Sequence, residues 1–284
     1  MKNKLIYIII GIIIGFSSAV IAESINSSEV LYDNSNSSSN KDNVQDVLDD
    51  MYNIIQHGNL GFSLFANSLN GISTELIGGL YRFQGSDSGV NLVNNHICFG
   101  TTDKNTCVGN TANYMYRIIG IDANGQMKLI KKEALDTNYQ WNSSNARWPN
   151  SELFNGLNGS YFLTNTSLVP TGWGDRIAIN PWHYYASSDN NSETILEREL
   201  SAPTIDAKIG LIYLHDIKKS LGWVNSSGGW TITQQNESYV WLTYSGATGW
   251  VRSERAVYPS FYLRASERIA SGSGTITDPY MLSA

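Results

Sequence analysis

The sequence predicts an exported chain whose main part is one α+β domain, built from irregular mixed or antiparallel sheets with short helices. Three observations predict it. An uncharged apolar run follows a basic start at the N-terminus. Short β-branched and aromatic segments then alternate with Gly, Asn and Asp turns. Helical and strand patterns are interspersed without a repeating βαβ unit, which excludes a doubly wound parallel sheet. Composition agrees, because charged residues make up 15% of the 284, against about a quarter in an average globular protein. Asn, Ser, Thr and Gly take their place. A net charge of −6 without a Lys/Arg cluster argues against nucleic acid, since phosphate binding needs a basic excess to release counterions.

Lys2 and Lys4 precede an uncharged run over residues 5–22 that Glu23 ends. Val20 and Ala22 fit a small-residue cleavage site, which reads as a secretory signal. The other reading is an uncleaved membrane anchor, because eighteen helical residues rise about 27 Å. The charge order places the remaining chain outside in either case, at the cell surface or beyond it. Residues 23–41 are dominated by Asn and Ser and read as a flexible linker.

Residues 42–75 hold an amphipathic helix and a connector. Val44, Val47, Leu48, Met51, Ile54 and Ile55 share one face, and Asp46, Asp49 and Asp50 the other. So short a helix needs a surface to pack on. Docking on its own domain and self-association into a homo-oligomer both satisfy that need.

The main domain is placed at residues 76–284. GGLYRFQG and YMYRIIGID read as strands, and MYRIIGID-ANG-QMKLIKK as a hairpin whose Asn124-Gly125 pair supplies positive-φ positions. NSELFNGLNGSYF carries Leu153, Phe154, Leu157 and Phe162 at helical spacing, with Asn150 or Ser151 as the cap. AKIGLIYLHDIKKSL reads as a buried strand leading into a polar turn or short helix. YVWLTY, GWVR, AVYPSFYLR and ERIAS read as closing strands.

Taken in order, YRFQG, NNHICFGTTDKNTCVGN, YRIIGID, GQMKLIKKEAL, WPNSELFNGLNGSYF, AKIGLIYLHD and YPSFYLRASERIASGSGTITDPYML resemble blocks of a family of secreted or surface proteins of Gram-positive, often gut-dwelling, bacteria. The resemblance covers nearly the whole chain. It departs from the family pattern at Tyr258-Pro259 and at His215-Asp216, and it brings no site residues with it. The segment from Ser28 to Tyr52 also resembles one that leads into oligomeric shafts in phage tail fibres, which favours self-association. The order of elements is similar to the C-type-lectin-like fold, an analogy that carries no function.

Cys98 and Cys107 are the two cysteines, an even count in an exported chain, and predict a disulfide. Zinc would need four ligands, and His96 is the one histidine nearby. His57, His96, His183 and His215 fall in no metal or triad spacing. His215-Asp216 is the one base–carboxylate pair; read as strand residues, the two point to opposite faces and form no relay. Glu197 with Glu199, and Glu254 with Arg252 and Arg255, read as solvated charged faces. No phosphate loop or nucleophile elbow is present. The sequence therefore implies no catalytic residue and no cofactor. Calcium is the one ion with a candidate loop (Asp189, Asn190, Asn191 and Glu193), although that loop lacks the D-x-D-x-D-G order.

Eight Trp, four of them after Gly, remain to be explained. In Gly/Ser loops they either fill the core or present flat faces to a ligand. Trp182, Tyr184, Trp223 and Trp230 are the ligand-binding candidates. The function this predicts is non-catalytic recognition of an extracellular glycan or protein. A structural subunit of a surface or pilus-like assembly is the second reading, and a polymer hydrolase the third.

Overall fold

The computed structural model describes residues 72–283, apart from 84, 88–91, 185–191, 220–222, 224–227 and 245–246. The signal or anchor segment, the linker and the Val44–Ile55 face lie outside the described residues. So does nearly all of the candidate calcium loop: Asp189, Asn190, Asn191 and the side chain of Glu193.

A seven-stranded antiparallel sheet carries the domain. Its order is β1 (Ile72–Ile77), β2 (Leu80–Phe83), β4 (Met115–Asp122), β5 (Met127–Lys131), β14 (Ser260–Tyr262) and β9 (Ile209–Gly210). Strand β3 (His96–Cys98) also pairs with β4, covering its first three residues while β2 covers its last three. Smaller sheets pair β6 (Tyr139–Gln140) with β13 (Glu254–Arg255), β7 (Asn180–His183) with β8 (Thr204–Ala207), and β15 (Ile269–Ser271) with β16 (Met281–Leu282). A three-stranded meander joins β10 (Trp230–Gln234), β11 (Tyr239–Leu242) and β12 (Thr248–Trp250). The helices are short: α1 (Lys104–Gly109), α2 (Thr111–Tyr114), α3 (Glu152–Leu157), α4 (Ser192–Leu200) and α5 (Leu214–Lys219). Among the described residues, none is long and apolar enough to cross a membrane. The expected α+β class is thus observed.

Local chemistry explains the elements that sequence located. The β4–β5 turn places Gly125 at φ +82°, and the Asp122 carboxylate accepts from the Asn124 and Gln126 amides. Ser151 caps α3 by accepting from the Phe154 amide at 2.9 Å. Strand β1 carries the domain back to Ile72, upstream of the expected start at residue 76. The AVYPSFYLR segment forms a strand, as the sequence reads it. Its strand β14 lies inside the large sheet, between β5 and β9.

Cys98 of β3 is bonded to Cys107 of α1, with 6.0 Å between their Cα atoms. Both sulfurs sit in a buried cluster with Met115 and Met281. Because the bond closes a short ring, it constrains the unfolded chain by roughly 2.5–3 kcal/mol. Replacing both cysteines with Ser is expected to cost at least that much in a urea melt. A loss below about 1 kcal/mol would show that the buried cluster, and not the ring closure, holds α1 in place.

Candidate functional site

Among the described residues, polar side chains gather in a buried ion cluster beneath α5 and in an open groove beside the meander, among other places. The cluster comes from the segment read as a buried strand leading into a turn or short helix; the helix is present, but it begins before His215-Asp216. Residues 211–213 leave the sheet after only two residues of β9, and His215 and Asp216 sit in the first turn of α5. The cause is a pair of buried carboxylates. Glu199 accepts from the Leu214 and His215 amides at 3.1 and 3.2 Å, and Asp216 accepts from the Tyr213 amide at 3.1 Å. Anionic oxygens at the orphan N–H groups fix where the helix begins.

His215 and Asp216 therefore do meet, contrary to the strand reading. His215 Nε2 lies 3.2 Å from Asp216 Oδ1, and its Nδ1 lies 2.5 Å from Glu199 Oε2. Asp216 also pairs with Arg82 of β2 and Lys128 of β5, each at 2.6 Å. Thr233 of β10 donates its hydroxyl to Glu199. Glu199, expected on a solvated face, is buried. Burial would raise the Asp216 carboxyl, but Lys128, Arg82 and His215 hold it well below the ordinary carboxylate range. Burial likewise opposes protonation of His215, yet Asp216 and Glu199 outweigh it and raise the imidazole.

All five charged side chains are at most 3% exposed. A general acid or base must come within hydrogen-bond reach of a substrate, and these groups already hold one another away from solvent. Glu199 and Asp216 lie at opposite nitrogens of His215. Among the described residues, no three His, Cys, Asp or Glu are arranged to hold a metal ion. The cluster joins β2, β5, α4, α5 and β10, and its role is to fasten them.

The tryptophan candidates are corrected by burial. Trp182 and Trp230 are 0% exposed and Trp223 is 3% exposed, so none presents a face to a ligand. Trp182 lies against Gly210, where an added Cβ would come within 2.3 Å of the ring. Trp223 lies under the Arg117 guanidinium at 4.7 Å. Tyr184 is half-buried against the core.

The exposed aromatic rings are others. Trp250 is 46% exposed, Tyr239 42% and Tyr244 59%. Tyr239 and Trp250 are directly paired across β11 and β12, so both rings lie on one face of the meander. Thr248, two residues before Trp250, shares that face and also lines a groove of about 560 Å³. Asn138, Tyr244, Glu254 and Arg255 line the same groove.

The buried Trp230 holds this region together from beneath. Its Nε1 donates to the Tyr139 carbonyl at 2.8 Å, its amide donates to Ala256, and its ring occupies the space under Gly249. Trp230 thus acts on the groove as a positioning residue. The two strand segments YVWLTY and GWVR were legible in the sequence. That they pair Tyr239 with Trp250 was not, and burial in the fold, not sequence, marks Trp250 as the exposed member of the Gly-Trp set.

No family model, curated protein or solved structure matches this chain.

Proposed function

We propose that this is an exported cell-surface recognition protein that binds an extracellular glycan or protein and does not turn it over. The observation that carries this reading is the exposed Tyr239–Trp250 pair beside the Thr248-lined groove. Large flat rings with few rotatable bonds give contact area at little entropic cost, which suits them to recognition. The one acid–base constellation identified is sealed in the core. The basic-then-apolar N-terminus supports export, and the sequence blocks similar to Gram-positive surface proteins point the same way.

The test is Trp250→Ala in the full chain, screened against immobilised extracellular glycans and proteins beside the unaltered chain. Binding is expected to fall by about tenfold or more, with the melting temperature almost unchanged because the ring is half exposed. Undiminished binding would remove the aromatic pair from the site. Multiple-turnover cleavage of any bound polymer would overturn the non-catalytic reading.

A further inference from the structure

We infer that the groove between β12 and β13 takes a neutral, linear oligosaccharide. This rests on the recognition reading and narrows it to one ligand class. The polar wall carries the argument. Glu254 accepts hydrogen bonds only and Arg255 donates only, while Asn138, Thr248 and the Tyr244 hydroxyl do both. An anionic ligand would face Glu254, and a cationic one Arg255. Neighbouring sugar hydroxyls, each donating one bond and accepting others, match that mixture without stranding a charge.

Arg255 supplies a second, independent observation. Its Nε is buried and finds no acceptor among the described residues. An unsatisfied buried donor costs about 1–3 kcal/mol, and a ligand oxygen relieves it once the Arg255 side chain, which lines the groove, turns its Nε towards the ligand. The backbone around it is fixed, because Arg255 pairs with Tyr139 and Glu254 with Gln140.

The apolar lining argues against a protein partner here. It consists of one leucine and two alanines beside a glycine, too little for the apolar centre that a protein interface buries. The exposed Tyr244 ring at the groove instead offers a flat surface to the C–H face of a sugar. Trp250, outside the groove lining and with the Arg252 guanidinium 5.4 Å over its ring, offers a partly exposed ring about 7 Å along the strand from Thr248. A linear chain therefore finds more than one stacking partner.

The experiment titrates the full chain by calorimetry with neutral cello-, xylo-, manno- and N-acetylglucosamine oligomers. Polygalacturonate oligomers, and immobilised collagen and fibronectin, are measured in parallel. At least one neutral series is expected to bind, with affinity rising with chain length. Arg255→Met and Tyr244→Ala are each expected to weaken it about tenfold. Tyr244 is mostly exposed, so its variant keeps the test intact should Arg255→Met fail to fold. Binding confined to the acidic oligomers or to the proteins would overturn the oligosaccharide inference and leave the recognition reading standing. Neutral binding indifferent to both substitutions would remove the groove as its site. Binding to none of these probes would count against both.

Discussion

Asp216→Asn is expected to lower the unfolding free energy by about 3–5 kcal/mol, a large share of the total for a domain of this kind. The substitution keeps the shape and removes the charge. Arg82 and Lys128 then remain at the centre of the cluster, 3% and 1% exposed, without the carboxylate that offsets their burial. His215 loses its partner at Nε2 as well. Removing one member of a buried ion set costs more than the set contributes, because the others stay desolvated. Lys128→Met placed on the Asp216→Asn background should therefore recover part of the loss. Urea melts of the three proteins measure this. A loss below about 1 kcal/mol for Asp216→Asn would show that water reaches the cluster.

The same cluster sets a pH dependence. Asp216 is held well below its ordinary value of 3.8 in the folded state. Its stabilisation is therefore complete above that value and is lost as pH falls through the folded one. His215 is raised above 6.5, so its contribution is complete below 6.5 and is lost as pH climbs through the folded value. The Asp216→Asn variant should lack the acid limb that Asp216 supplies.

The parts of this fold that sequence reveals are those fixed by neighbours in the chain. The Asn124-Gly125 turn, the Ser151 cap and the Cys98–Cys107 bond all depend on residues no more than 9 positions apart. The parts it hides are fixed from a distance. The run of Ile209 to Leu214 has the composition of a strand, but Glu199, well upstream, draws its end into a helix. Lys128 and Lys131, three apart on strand β5, point to opposite faces of the sheet. Every residue of that strand is buried, since the sheet is covered on both faces. The Lys128 charge then ends on Asp216, and the Lys131 ammonium on the Ala112 and Asn113 carbonyls. The Gly-Trp pairs are ambiguous for a similar reason. A glycine beside tryptophan serves a loop tip, but it equally clears room for another ring, as Gly249 does for Trp230.

That ambiguity leads to the second large effect, Trp182→Ala, expected to destabilise the domain by about 3–5 kcal/mol. The ring is fully buried, and its Nε1 donates to the Ala207 carbonyl at 3.1 Å. It meets Tyr262 edge-on at 5.5 Å and lies 6.0 Å from Tyr213, with the Lys128 ammonium 5.5 Å from its centre. Truncation would leave a cavity beside Gly210, which has no side chain to fill it, and would expose the flank of the ion cluster to it. Trp182→Phe restores most of the volume but not the indole donor, so it should recover more than half of the loss. Thermal melts and oligosaccharide titrations of Trp182→Ala and Trp250→Ala, run side by side, separate the two kinds of tryptophan. Trp182→Ala should melt far lower yet bind normally while folded. Trp250→Ala should melt normally and bind poorly. If Trp182→Ala keeps its stability and loses binding, the ring belongs to the ligand site, and the division between core and surface aromatics drawn from burial is wrong.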